Sequence, residues 1–440
     1  MSSPSFDAPV PDPGLPVDPD APSGSALPEG ALVVAIGLLV AGISTYAFFR
    51  VGTSALGGDA EFAPLAAMWF AMFALAPGFF LPLEQELGRA LAHRRAIGQG
   101  GRPVVKRIVA LAVIISIVVT GIIAITSPWV SSAYFDGDWV LLVALAVAFV
   151  SYAPVHLTRG ICSGTARFGS FAFVVGADGV VKIIATLALA AIGISAIGPY
   201  AFVVALSPLL AVIIVWSRGT LTTPDGPPAP WREVTQNFGW LLIGTACAAV
   251  LVNAGPMAAN LLASDTEADA VTRFGYGVLL ARVPLFMFQA IQASLLPRLA
   301  RLAARRDYDD FRKGLKLLIT VVATIGAIGT LGAWILGPWI LNLVYGADLT
   351  GRTIAMLALS SAIYMLALAM SQAVLALEDH AHVAIGWIAG ILAFVIGTWI
   401  ASDQLFRRIE IGLVASSIVA LAWFTIALTR RLATLGTATD

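Results

Sequence analysis

Arg282 stands in the middle of an apolar run, FGYGVLLARVPLFMFQAIQASLLPRLARLAARR, that extends from Phe274 to Arg306. A charged side chain at the centre of a membrane span costs at least about 2.5 kcal/mol, so it faces a protein interior or a water-filled cavity. At helical spacing Gly275, Arg282 and Gln289 share one face, with Gln292 on its flank, and Arg273 points the other way. Such a polar stripe offers one chemistry, the capture of an anion by a guanidinium with an amide beside it. The competing reading is structural: an arginine held by helix-end carbonyls or by a buried acid. A second candidate lies in FGSFAFVVGADGVVKIIATLALAA, where Asp178 and Lys182 stand acid before base at i,i+4, the favourable order for an ion pair. They lie roughly 12 and 18 Å from the start of that span at about 1.5 Å per residue. Either the pair neutralises itself facing the bundle, or Lys182 meets an anionic substrate while Asp178 balances it or takes a coupling proton.

These residues need membrane helices to position them. The chain is 59% hydrophobic and 12% charged, with a mean hydropathy of +0.89. A soluble domain carries about 25% charged residues, so the composition defines an all-α polytopic membrane protein. Apolar segments of spanning length fall at about 31–50, 62–82, 106–127, 139–158, 170–193 and 196–216. A second set falls at about 238–262, 271–296, 315–336, 353–376, 383–401 and 409–428. The expectation is twelve transmembrane helices in two parallel six-helix lobes, an N-lobe over 31–216 and a C-lobe over 238–428. Residues 217–237 form a cytoplasmic inter-lobe linker and 429–440 a cytoplasmic tail. Residues 1–30, rich in proline and acids and without lysine or arginine, read as a disordered cytoplasmic tail.

Short loops rich in lysine and arginine stay in the cytoplasm. The 2–3 loop holds Arg89, Arg94, Arg95, Arg102, Lys106 and Arg107, and the 8–9 loop Arg298, Arg301, Arg305, Arg306, Arg312 and Lys313. Both fall inside if the two termini are cytoplasmic. The 4–5 loop and the C-terminal Arg430 and Arg431 agree; Arg407 and Arg408 in the 11–12 loop dissent. The two basic loops occupy equivalent places in each half. Leu87, Arg89, Ala92 and Arg94 align with Leu299, Arg301, Ala304 and Arg306, and Ser127-Pro128-Trp129 with Gly337-Pro338-Trp339, at offsets of 212 and 210. The near-identical offsets point to duplication of a six-helix unit, an arrangement that in transporters places the substrate site at the repeat interface.

Arg159, ending the fourth span, and Gln372, late in the tenth, are near-equivalent under that offset and frame the cytoplasmic mouth of a cavity unless they are simply solvated at the interface. Glu84, Glu86 and Arg89 end the second span. Asn253 and Asn260 share a face of the seventh, with Pro256 between them to kink it; inter-helix hydrogen bonding is their expected role. Pro77, Pro82, Pro208 and Pro284 likewise bend or break their helices. The arginine clusters after the second and eighth spans set topology and touch anionic lipid heads. The histidines, near predicted helix ends, read as surface residues, and Cys162 and Cys247 imply neither a disulfide nor a metal site. Signature motifs of metalloproteases, P-loop nucleotide hydrolases and serine hydrolases are missing, so the expectation is a transporter rather than an enzyme, without cofactor or nucleic-acid partner.

Three stretches carry a family resemblance. The Gly275-Tyr276-x-x-x-x-Ala281-Arg282-x-Pro284 run closed by Pro297, the turn Leu341-Asn-Leu-Val-Tyr-Gly-Ala-Asp348, and Gln372 to Ala376 resemble the polysaccharide-flippase (Wzx-like) branch of the multidrug/oligosaccharidyl-lipid/polysaccharide exporter superfamily. The resemblance covers about 31–430. It implies two six-helix lobes in a V, alternating access, and a cationic cavity for the pyrophosphate of a polyprenyl-linked sugar, with Arg282 as a cavity cation. Twelve helices depart from the fourteen of the peptidoglycan-precursor flippases. The expected site therefore holds Arg282, Gln289, Lys182 and Arg159 on the substrate and Asp178 as ion-coupling residue. The expected partners are a lipid-linked saccharide, anionic lipids and possible envelope-synthesis proteins at a bacterial inner membrane. Other classes remain: a drug/cation antiporter of the same fold, which needs a deep first-lobe acid and has only Asp178 to offer; a non-transporting scaffold of an envelope assembly complex; a major-facilitator transporter, whose 2–3 loop signature is absent; and a polysaccharide polymerase or ligase, which the short external loops disfavour.

Overall fold

The computed structural model describes residues 30–219, 221–235, 238–285, 288, 302–303 and 307–436. Apolar residues dominate every long segment, and in a medium without water a backbone must satisfy its own polar groups, so helices result. They are α1 (Ala31–Leu56), α2 (Asp59–Ala96), α3 (Arg102–Tyr134), α4 (Trp139–Gly164), α5 (Phe168–Ala191) and α6 (Ile197–Ser217). After a single turn at Arg232–Thr235 come α7 (Phe238–Leu262), α8 (Ala268–Ala281), α9 (Tyr308–Tyr345), α10 (Gly351–Ala376), α11 (His380–Ile400) and α12 (Leu405–Gly436). Among the described residues, eleven helices are long and apolar enough to cross a membrane; α8 is the exception, described over its first 14 residues. The second, third, ninth and twelfth helices run past their apolar windows into charged sequence, α2 and α9 reaching 38 residues each, about 57 Å at 1.5 Å per residue.

The eighth predicted span differs from a continuous helix. Its first part ends at Ala281, and Arg282 sits in a turn whose backbone N–H bonds Leu279 O at 3.1 Å. Pro284 explains the break: it has no N–H for the Leu280 carbonyl, and its ring clashes with the preceding turn. Gln289 lies outside the described residues, as do Gln292, Pro297 and the arginines at 298, 301, 305 and 306.

The two halves share their main helix pairings. In the first, α1 packs on α5, α2 on α4, α3 on α4, α4 on α6 and α5 on α6; in the second, α7 packs on α11, α8 on α10, α9 on α10, α10 on α12 and α11 on α12. Pro128 and Pro338 occupy matching places near the ends of α3 and α9. In α3 the Ala124 carbonyl that Pro128 deprives of its partner accepts the Ser127 hydroxyl at 2.7 Å. Contacts between the halves run chiefly through α2, against α7 and α8. The five hydrogen bonds that join helices of opposite halves among the described residues all fall at one end. Tyr46 donates to Leu279 O (2.7 Å), Thr272 to Asp59 O (2.7 Å) and Asn260 to Tyr134 O (3.0 Å), while the Tyr276 hydroxyl meets Thr53 Oγ1 (2.6 Å) and Asp59 Oδ1 (2.8 Å).

At the opposite end the linker wraps the 2–3 loop. Arg94, 4% exposed, forks onto Glu233 with two 2.8 Å bonds and donates to Pro227 O (2.8 Å) and Gly100 O (3.2 Å). Arg102 pairs with Asp225 at 3.1 Å, Arg107 lies 4.6 Å from the centre of the Trp231 ring, and Arg89, paired with Glu86, reaches Glu233 O at 3.0 Å. Four cations of this loop thus hold the protein's own linker, while Arg95 and Lys106 remain exposed. Removing one partner of a buried, hydrogen-bonded pair costs about 3 kcal/mol or more. Arg94→Ala is accordingly expected to lower the unfolding temperature and to open the linker to protease cleavage, and unchanged cleavage in the folded variant would show the clasp to be idle.

Candidate functional site

Arg282 is 8% exposed. Its Nη2 donates to Val252 O at 2.5 Å and to Asn253 Oδ1 at 3.1 Å, and its guanidinium lies 5.5 Å from the centre of the Phe70 ring. Sequence explains the first bond. Pro256 has no N–H, so the carbonyl four residues earlier, that of Val252, loses its helical partner, and Arg282 fills the vacancy. Phe70 of α2 adds the negative face of its ring, and Gly275, one helical face below, lets that ring approach: a Cβ there would sit 3.3 Å from Phe70. Tyr364 of α10 closes another side, its hydroxyl donating to Ala248 O at 3.1 Å. Arg282, Val252 and Tyr364 line a small cavity of about 30 Å³ with Ser360, Ser361, Ser416 and Ser417, room for a water or two. Among the described residues no carboxylate lies within ion-pair distance of Arg282.

The other predicted cations sit differently. Lys182, 4% exposed, is 3.3 Å from Asp178 Oδ2. Asp178 also accepts from Ser207 of α6 at 2.7 Å and, at 3.5 Å, faces the Tyr152 hydroxyl of α4. Arg159 is 3.2 Å from Glu84 Oε1 and covers the Phe171 ring at 4.9 Å. His156 is not a surface residue: it is 3% exposed and its Nδ1 lies 2.7 Å from Glu84 Oε2. Hydropathy ends this span at about 158, which puts His156 near a helix end, but α4 continues to Gly164, leaving two more turns beyond it. Asp178 and Lys182 therefore come together, Arg159 joins Glu84 and His156 on the neighbouring turns, and Arg282 stands apart in the second half.

An aromatic row on α2 spans the gap. Tyr152 contacts Phe73 (ring centres 6.1 Å apart), Phe73 contacts Trp69 (4.2 Å), Trp69 contacts Phe70 (5.2 Å), and Phe70 faces Arg282. Trp69 Nε1 is buried without a partner. Glu84, His156, Tyr152, Ser207 and this row were not singled out as site residues from sequence. The WFAMF run at 69–73 places Trp69, Phe70 and Phe73 at i,i+3/i+4 spacing, a signal available to reading; the pairing of Glu84 with His156 across 72 residues is not. Of three predicted substrate cations described here, two are matched by acids and Arg282 by neutral acceptors alone. Among the described residues no cluster of three or more metal-ligating side chains occurs.

No protein-family model matches the chain. An uncharacterized protein of Mycobacterium bovis is 25% identical over 396 residues, covering 86% of this chain and 88% of the relative. Another, of Mycobacterium tuberculosis, is 27% identical over 385 residues, covering 84% and 85%. Solved structures share the fold. A Vibrio cholerae MATE transporter superposes with a TM-score of 0.69 at 13% identity, over 92% of this chain and 97% of that one. The inward-facing conformation of a multidrug resistance MATE family transporter of the MOP superfamily gives 0.68 at 13%, over 93% and 100%. The fold is that of the MATE transporters, two six-helix lobes in a multi-pass membrane protein.

Proposed function

We propose that the chain is a transporter that flips a polyprenyl-pyrophosphate-linked saccharide across a bacterial cytoplasmic membrane by alternating access, for synthesis of cell-envelope polysaccharide. The observation that carries this reading is Arg282, buried against α7 with neutral acceptors only. A cation held by carbonyl oxygens keeps its full charge for an incoming anion, whereas Lys182 and Arg159 already have acids beside them. A pyrophosphate is the anion a planar guanidinium binds best. Gln289 belongs to the proposed site by its place in the sequence. With the arginine-rich loops and both termini in the cytoplasm, the end sealed by Tyr46, Tyr276 and Asn260 faces outward. The conformer is then closed to the outside, with substrate entering between the lobes from the cytoplasm. Asp178, with Ser207 and Tyr152 around it, takes the part of coupling site.

That same Asp178 cluster supports a second reading, a drug/cation antiporter, and solved structures of the same fold include a multidrug resistance MATE family transporter. Liposomes carrying the purified chain separate the two. The first reading expects a fluorescent polyprenyl-pyrophosphate saccharide to change leaflets and a cationic dye to stay. Dye exchange dependent on Asp178, with no movement of several lipid-linked saccharides, would replace it with the second.

A further inference from the structure

A groove on the membrane-facing flank of the second half begins at Ala258, just past Pro256 of the Arg282 cavity, and follows α7 to its end at Leu262. Its volume is about 560 Å³, and Ala258, Leu261 and Leu262 of α7, Phe394, Val395, Thr398 and Trp399 of α11, and Arg408 of α12 line it. That size falls in the range of about 300–1,000 Å³ typical of small-molecule pockets. Its walls are apolar except at Thr398 and Arg408. The Thr398 hydroxyl packs against Gly412 of α12, whereas Arg408 Nε is buried with no hydrogen-bond partner. A buried polar group without a partner costs roughly 1–3 kcal/mol, so Arg408 calls for an acceptor from outside the chain. Glu267, the acid that feels the Arg408 charge, stays beyond ion-pair distance and bonds the Ser264 hydroxyl at 2.7 Å. Among the described residues no carboxylate lies within ion-pair distance of Arg408.

Location narrows the occupant. The groove sits where α7 and α11 end and α12 begins, at the edge of the apolar spans. Trp399, 84% exposed, stands at its lip, as tryptophans do at the headgroup level of a bilayer. Arg407 and Arg408 are also the two arginines that run against the charge rule obeyed by the other loops, and a basic residue kept on the wrong side of that rule needs a local reason. We infer that this groove is a binding site for one anionic phospholipid of the adjacent leaflet. An acyl chain lies along Leu261, Leu262, Phe394 and Val395, and the phosphate meets Arg408. This site is independent of the transported substrate.

The test uses the full chain in vesicles of equal phosphatidylglycerol and phosphatidylcholine, followed by gentle extraction and native mass spectrometry. Wild type is expected to retain one phosphatidylglycerol per chain in preference to phosphatidylcholine. Arg408→Gln is expected to reduce that retention about tenfold, the value of one charge-assisted hydrogen bond. Ala258→Phe, which fills the groove and leaves every charge in place, is expected to expel the lipid too, and stands in should Arg408→Gln fail to fold. Equal retention of both lipids by wild type overturns the site. So does undiminished phosphatidylglycerol on folded Arg408→Gln or on Ala258→Phe. Displacement of the lipid by free glycerol phosphate would mark a soluble-phosphate site and overturn the lipid assignment.

Discussion

Arg282→Ala is expected to reduce saccharide flipping at least about 25-fold, and Arg282→Lys to keep part of it. Truncating one partner of a buried, hydrogen-bonded charge pair costs about 2–5 kcal/mol, and 1.4 kcal/mol is about a tenfold change. Lysine keeps the charge but loses the planar fork, so its loss is smaller. Arg282 also has a structural duty, since without it the Val252 carbonyl is orphaned. A second substitution separates the two roles. Pro256→Ala restores a backbone N–H to the residue four places after Val252, and the carbonyl regains its helical partner. Arg282→Ala with Pro256→Ala should therefore recover thermal stability and stay inactive. Liposome flipping beside melting curves reads both, and full flipping by folded Arg282→Ala would end the role of this arginine in transport.

Asp178→Ala is expected to destabilise the first half by about 3–5 kcal/mol, because Lys182 is left as a buried charge without its acid. Ser207 loses the acceptor it reaches at 2.7 Å in the same step. Replacing both partners is milder: Asp178→Asn with Lys182→Met, an uncharged pair of similar volume, should recover most of the loss, since no buried charge is left without its partner. Thermal unfolding of the singles and the double gives the coupling energy, and purely additive losses would show that the two groups do not act as a pair. The folded double variant also tests coupling, because transport through it should no longer respond to an imposed proton gradient.

The positions of the helices could be read from hydropathy because each membrane span needs an apolar window. Their ends could not, since α2 runs on through Glu84, Glu86, Arg89 and Arg94 as an amphipathic helix with no apolar mark. The buried charge of Arg282 was legible as the one basic residue in the middle of its window. So was the carbonyl that Pro256 frees, but nothing local says that a residue 30 positions away takes it. The Arg94–Glu233 clasp spans 139 residues and joins two loops of ordinary polar sequence, so it could be found only in three dimensions. His156 differs from its expected place for a related reason: a span ended at 158, six residues before Gly164, turns a core residue into a surface one.

The wrapped linker has a mechanical consequence. Glu233 is fixed to the first half, and α7 begins at Phe238. Four residues of chain separate them, a reach of at most about 17 Å at 3.4 Å per step. The second half therefore cannot swing freely away from the first at this end, because the foot of α7 is leashed to the 2–3 loop. Any rocking of the lobes must take the foot of α7 as its fulcrum, and the travel available to the remaining helices grows with their distance from it. Stroke length then becomes a property of a four-residue leash, adjustable by insertion without touching either lobe.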